Sequence, residues 1–314
     1  MMVVDETNVA DSTDARSGAR SVLEDLELTA VDGVTGRYVV QVDDGWRVLH
    51  VFGGMTKALA LAAARHELAR PDLNFVTAQA TYVAPVSAGT VAVQADVVRS
   101  GRRGAQVRVA LWSTDDPAGP RGGDLLVDVV LGRFDEDAPR LEGVAMPLDA
   151  RRPADGIARE DIARSRFVDV PFHRQTEWRL TVGSMDLEAP ADEPRSVSWF
   201  RFHRSPVRPN GAWDPAAIAV PGDILGPAVG RGLGQKGRFF VITLQLSIQW
   251  FAPLRTEWVC QHSTVSRGAG GFATGVSELW SEDGELVALA TQCAMLRPFE
   301  RVAADGLRGQ ESQG

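Results

Sequence analysis

Apolar and polar positions along this chain follow two periods, and each period recurs in the same order twice. From Gly54 to Leu68 (GMTKALALAAARHEL) apolar residues fall on most sides of a helical wheel, which predicts a helix buried nearly all round. Four runs rich in β-branched and aromatic residues follow: Val76 to Val83, Val91 to Val98, Ala105 to Trp112 and Leu125 to Phe134. Turn residues separate them, so they predict an antiparallel meander. The later part of the chain repeats the order, with a helix over Asp223 to Leu233 and strands over Phe240 to Phe251, Glu257 to Val265, Phe272 to Trp280 and Glu285 to Leu296. Further strands, Gly36 to Asp43 and then Thr176 to Val182 with Val197 to Phe202, precede the two helices. Asp283-Gly284 is a tight hairpin signal where the earlier copy has a longer loop, Asp116 to Gly123.

The repetition extends to identity. Ala84-Pro85 through Asp115 lies on Ala252-Pro253 through Asp283 without a gap, every pair 168 positions apart, and Leu111-Trp112-Ser113 recurs as Leu279-Trp280-Ser281. A duplicated unit of this size implies one fold made twice and packed on itself. One helix wrapped by a long antiparallel sheet is the pattern of the hotdog fold, so the expected class is α+β, a double hotdog of two tandem units. The units are expected at 22–135 and 169–300, joined by a charged, Pro-bearing linker at 136–168. Residues 1–21 and 301–314 read as disordered tails.

Composition narrows the function. A formal net charge of −8 argues against a nucleic-acid partner, which needs a basic stripe. No run approaches the roughly 18 apolar residues that would span a bilayer, and the first 21 residues lack an apolar core, so the chain is expected to be soluble and cytoplasmic. Lys57 and Lys236 are the only lysines. Cys260 and Cys293 sit in apolar strand-like runs without paired spacing and read as reduced core residues. His66, His173, His203 and His262 have no metal-ligand spacing, and neither metal nor cofactor is expected. Gly230 to Gly237 (GRGLGQKG) follows a helix and lacks a phosphate-loop ending; it reads as a mobile lip.

Val51-Phe52-Gly53-Gly54 at the start of the first helix, Asp223 in Pro-Gly-Asp-Ile-Leu, Thr243 in Val-Ile-Thr-Leu-Gln-Leu-Ser, and Gln292 in Ala-Thr-Gln-Cys-Ala-Met-Leu-Arg are the residues that carry a resemblance. Over roughly residues 22 to 300 the chain resembles the acyl-CoA thioesterase II family and its thioesterase-like relatives. The resemblance implies hydrolysis of an acyl-CoA, with Asp223, Thr243 and Gln292 as the catalytic set, and a homo-oligomer. The repeat supplies a separate test: at the 168-residue offset Asp223 falls on Met55 and Thr243 on Phe75, and matching Gly284 to Gly123 puts Gln292 on Leu131. Three polar residues thus face three apolar ones, although unpaired buried polar groups cost about 1–3 kcal/mol each.

These residue types suit direct attack by water. Asp223 at a helix N-terminus would be held ionised by the helix dipole and take the proton, while Thr243 and Gln292 orient water and carboxylate. Backbone N–H groups near a helix start are the natural supply of oxyanion donors, here around Gly53-Gly54 and the first turn of the partner helix with no single residue singled out, and no Gly-x-Ser-x-Gly elbow is present. Lys236 and Arg238 are available to an anionic ligand, and Trp250, Phe251 and Phe239 to line an acyl channel. Other readings stay open. Asp223 also suits a simple N-cap, and Thr243 an ordinary strand position. His50 would serve a hotdog hydratase or dehydratase, although no acidic residue partners it in sequence; a silent acyl-thioester binder is the third class. Arg99 and Arg267, at matching positions, suit either coenzyme A phosphates or a repeated turn.

Overall fold

Among the described residues the molecule is built around one antiparallel sheet of thirteen strands, in the order β1-β2-β4-β5-β6-β3-β10-β13-β12-β11-β9-β8-β7. A computed structural model describes residues 18–135, 137–161, 170–184, 189–236 and 239–298. The tails through residue 17 and from residue 299, and Arg238, lie outside these residues.

The first half contributes a short helix α1 (Val22–Asp25), strands β1 (Thr29–Ala30) and β2 (Arg37–Val42), the long helix α2 (Gly53–Leu68), and strands β3 (Asn74–Tyr82), β4 (Gly89–Ser100), β5 (Gly104–Ser113) and β6 (Leu125–Gly132). The second half contributes β7 (Ile157–Ala158), β8 (Thr176–Val182), β9 (Arg195–Phe202), two short helices α3 (Ala219–Gly222) and α4 (Gly226–Leu233), and strands β10 (Phe239–Trp250), β11 (Val259–Ala269), β12 (Phe272–Ser281) and β13 (Leu286–Pro298). The fold is the double hotdog expected from the repeat. Helix α2 is buried on nearly every side, packing on β4, β5 and β6 and against α3. Small side chains (Ala58, Ala60, Ala62, Ala63, Ala64) let the sheet close around it.

The halves meet where β3 pairs with β10. Gln79 lies opposite Ser247, its own mate at the 168-residue offset, so a pseudo-twofold axis passes through that pair. Each of the two seam strands carries a register shift at the same place, between Phe75 and Thr77 in β3 and between Thr243 and Gln245 in β10. Arg99 and Arg267 likewise flank matching shifts in β4 and β11 and are exposed.

Four expectations are corrected. The second helix does not run from Asp223 to Leu233: it is two pieces, and Asp223 sits between them with its backbone out of the helical region (ψ 66°). Pro227 explains the break, because a proline ring inside a helix clashes with the carbonyl four residues earlier, here that of Asp223. The last strand is offset by 163 rather than 161, since Leu246 pairs with Gln292 as Ala78 pairs with Val129. The turn between β12 and β13 is shorter than its counterpart between β5 and β6 and is built differently, so Gly284 and Gly123 are not equivalent. The first-half mate of Gln292 is therefore Val129, which is apolar as Leu131 is. Finally, part of the 136–168 stretch is built into the second half. Met146 and Ala150 cover Val197, Trp199, Trp258 and Trp280, and Trp199 Nε1 donates to the carbonyls of Ala150 (2.9 Å) and Arg151 (2.8 Å). At the other boundary, Ala19 and Ser21 are buried and the Arg20 N–H donates to Gln175 Oε1 (2.7 Å), so residues 19–21 of the expected N-terminal tail are packed into the fold.

One ion-pair cluster also ties the two halves. Wholly buried Asp214 accepts two bonds from Arg65 of α2 (2.9 and 2.8 Å), two from Arg208 and one from the Ala216 N–H (2.8 Å). Asp214→Ala is expected to lower unfolding free energy by about 1–3 kcal/mol, because it removes charge-assisted bonds and a backbone cap together. Urea denaturation followed by circular dichroism checks this.

Candidate active site

Asp223, Thr243 and Gln292 come from three separate elements and meet in one closed hydrogen-bonded set. Thr243 Oγ1 donates to Asp223 Oδ1 (2.8 Å), and Gln292 Nε2 donates to the same Oδ1 (2.7 Å) and to Thr243 Oγ1 (2.6 Å). Gln292 Oε1 accepts the Leu225 N–H (3.2 Å), which fixes which way the amide faces. Asp223 and Gln292 are buried, and Thr243 is half-buried.

The bulge in β10 is what makes this set possible. Thr243 and Leu246 are three residues apart, so a regular strand would put them on opposite faces. The extra residue, Leu244, turns both inward. Thr243 then pairs with Ala294 and Leu246 with Gln292, which places the threonine and the glutamine on one face, two positions apart along β13. In the first half the same bulge carries Phe75, packed on Trp250 (ring centroids 5.4 Å), and Met55 and Val129 complete an apolar filling.

Asp223 itself is held by the turn that leaves α3. The carbonyl of Pro221 accepts Gln261 Nε2 (2.8 Å), and Gln261 Oε1 is in turn held by Trp178 Nε1 and Ser198 Oγ. The carboxylate does not cap its own helix: the residue before α4 is Leu225, with no side-chain cap bond. It meets the start of α2 from the other half instead. The Gly54 N–H supports it, and a methyl group built on Gly53 would lie 2.6 Å from Asp223 Oδ2. On Gly54 a methyl group would lie 2.6 Å from the Ala219 carbonyl, so both glycines are sites of close approach. The helix dipole expected at Asp223 is thus supplied across the seam by α2.

Burial dominates the ionisation of Asp223 and raises its pKa above the ordinary value; Thr243, the charge of Lys57, the Gly54 N–H and Gln292 oppose the rise. Tyr82, at the end of β3, donates its hydroxyl to the Gly53 carbonyl (2.9 Å), and burial with the nearby Asp223 charge raises its own pKa. Lys57, Tyr82 and Gln261 escaped the sequence reading. Lys57 had a visible signal, a lone cation in an otherwise apolar helical run whose mate in the second half is Leu225.

The family model described as the acyl-CoA thioesterase N-terminal domain matches residues 42–129, and that of the C-terminal domain matches residues 145–296. The chain belongs to the acyl-CoA thioesterase family. Solved structures of similar fold include a conserved protein of unknown function with a hot dog fold from Alicyclobacillus acidocaldarius (21% identity, 88% of this chain and 97% of that one, TM-score 0.70). Two others are the acyl-CoA thioesterase II TesB2 from Mycobacterium marinum (19%, 88% and 98%, 0.67) and a tesB protein from Mycobacterium avium subs. paratuberculosis (18%, 88% and 98%, 0.68). The dehydratase domain of RzxB from Pseudomonas fluorescens is more distant (12%, 83% and 94%, 0.52). At these identities the likeness is one of fold. No curated protein matches the chain.

The remaining residues expected at a thioesterase site scatter. Gly53 and Gly54 stand against Asp223, as described. His50 is exposed on the bend before α2, with no carboxylate bound to it among the described residues. Trp250 is a core residue: its indole donates to the Pro215 carbonyl (3.1 Å) and its ring rests on Phe75, at the opposite end of β10 from the bulge. Phe239 is half-buried at the near end, whereas Phe251 is exposed. The glycine-rich stretch is not a free lip, since Gly232 packs on Pro194 and Gly234 on Ala191, closer than any side chain would allow. Lys236 ends the turn Gly234–Lys236. Cys260 is a buried free cysteine whose thiol is pushed up to about 12 by burial, and Cys293 is free and half-buried. Among the described residues no helix is long and apolar enough to cross a membrane.

Proposed function

We propose that the chain hydrolyses an acyl-CoA to a free carboxylic acid and coenzyme A by direct attack of water, with Asp223 as general base. One observation carries the reading: both side-chain bonds to Asp223 end on Oδ1, while Oδ2 is turned toward Gly53 and the start of α2. Oδ2 takes a proton as the water oxygen bonds to the thioester carbonyl carbon. The tetrahedral intermediate then collapses, the C–S bond breaks, and the proton passes to the departing thiolate. Thr243 and Gln292 hold the carboxylate and the water in register, and N–H groups at the α2 start are suited to the developing oxyanion. Beside the trio, Leu225, just before α4, and Val229 of α4 form an apolar cluster with half-buried Leu233, Val241, Val265 and Leu296, a surface of the chemistry an acyl chain requires.

The test is release of coenzyme A thiol from acyl-CoAs of short to long chain by the purified protein. Absence of release across the panel would sink the reading and leave a silent thioester binder. The pH dependence supplies a second check. A base must be ionised, so kcat/KM is expected to fall as pH drops through the raised pKa of Asp223, with its midpoint above the ordinary aspartate value of about 4. An acid limb at or below about 4 in a pH-rate profile would contradict the assignment.

A further inference from the structure

Lys57, one of the two lysines in the chain, is wholly buried within α2, in the half that lacks the polar trio. Its Nζ donates to the carbonyls of Ala78 on β3 (3.0 Å) and Leu246 on β10 (2.8 Å). Ala78 and Leu246 are mates at the 168-residue offset, and they flank the central Gln79 and Ser247 pair of the seam. Nζ is therefore nearly equidistant from two equivalent atoms and lies close to the pseudo-twofold axis. A point on such an axis accepts one side chain only. The mate of Lys57 is Leu225, whose N–H is the one that Gln292 accepts.

Two features connect this cation to the site. Lys57 follows Gly53 and Gly54 by four and three residues, on the same helix face one turn further on, and these are the glycines against which Asp223 rests. Leu246, whose carbonyl takes the ammonium, is the residue paired across the sheet with Gln292. Burial pulls the Lys57 pKa well below its ordinary value and the Asp223 charge opposes that pull; reciprocally, Lys57 opposes the burial that raises Asp223. Around the pair, Tyr82 is the titratable group that faces Asp223, and β10 carries no charged residue. The other charged groups of α2 lie toward its far end, Arg65 on Asp214 and Glu67 with His66 on Tyr38.

We propose that Lys57 is a positioning residue for the reaction, a buried cation held on the pseudo-twofold axis by the two seam carbonyls and acting on Asp223 from the opposite half. The proposal rests on the reading of Asp223 as the base. Binding to two carbonyls would be achieved by any donor of the right length; the charge is what acts on the carboxylate. Lys57→Met removes donor and charge, whereas Lys57→Gln keeps an amide donor and removes the charge alone.

The experiment records pH-rate profiles of thiol release for the full-length wild type and both variants, with melting temperatures alongside. In both variants the acid limb of kcat/KM is expected to move to higher pH by about 1–3 units, because an opposite charge nearby lowers an aspartate by that amount. An unmoved limb in folded variants would overturn the proposal, since a merely structural lysine alters stability and not the limb. A second measurement is independent of the Lys57 variants and of hydrolysis. With only two lysines, selective ¹⁵N-lysine labelling gives two side-chain signals, and Lys236→Arg assigns them. The ionisation midpoint of Lys57 is expected about 1–3 units lower in Asp223→Asn than in wild type. Equal midpoints would overturn the coupling, whereas lack of thiol release with the midpoints still displaced would count against the hydrolase reading alone.

Discussion

Asp223→Asn is expected to lower kcat for acyl-CoA hydrolysis by about 10²–10⁴, the range contributed by a general base, while the protein remains folded with an unchanged or higher melting temperature. The amide keeps an oxygen where Oδ1 accepts from Thr243 and Gln292, so the set loses its proton acceptor rather than its geometry. The direction of the stability change follows from the raised pKa. A carboxyl that holds its proton more tightly folded than unfolded contributes stability below its unfolded pKa, and that contribution is lost as pH rises through the folded value. At neutral pH the buried carboxylate is then a burden on the fold, as functional groups commonly are. Thiol release and thermal melting on one preparation check both halves. Full activity in the variant would remove Asp223 from the mechanism, and a large fall in melting temperature would mean that the carboxylate acts chiefly as a structural anchor.

The fold was legible because the duplicated sequence recurs with its irregularities. Leu-Trp-Ser ends β5 and β12 alike, and the register shifts at Phe75 and Thr243 and at Arg99 and Arg267 repeat at the same offset. What escaped was what breaks the repeat. Pro227 has Leu59 as its mate, so the first helix runs unbroken where the second is interrupted, and the interruption is what frees Asp223 to turn away from its own helix. Nothing in composition marks which residues of two unequal turns correspond, so pairing Gly284 with Gly123 puts the mate of Gln292 two residues away from Val129.

The site was legible to the extent that its residues differ in polarity from their mates. That comparison isolates Asp223 against Met55 and Thr243 against Phe75; applied to α2, it would also have isolated Lys57 against Leu225. Trp250 shows where pattern reading stops. An aromatic side chain at one end of a twelve-residue strand fits a channel wall as well as a core, and only the pairing of β10 with β3 puts it on Phe75, away from the bulge.

Gly53→Ala is expected to separate activity from stability in the opposite sense to a packing defect. Alanine is the better helix former, and Gly53 opens α2 without needing a positive φ, so the backbone accepts the change and intrinsic helix propensity favours it by up to about 1 kcal/mol. The new methyl group would nevertheless lie 2.6 Å from Asp223 Oδ2 and 3.1 Å from the Tyr82 ring, both closer than contact distance. Tyr82 is held by its bond to the Gly53 carbonyl, and Asp223 by the two donors on Oδ1. The carboxylate therefore has to rotate or withdraw, and the oxygen displaced is the one assigned to the water. A misplacement of about 1 Å at a reacting group costs on the order of 10²-fold, and a fall of that size in kcat/KM is expected with little change in melting temperature. The contrast with Asp223→Asn lies in the pH profile: the alanine variant keeps its base, so its residual activity should retain an acid limb. Undiminished turnover in Gly53→Ala would mean that water approaches Asp223 from another side, and the start of α2 would no longer be the floor of the site.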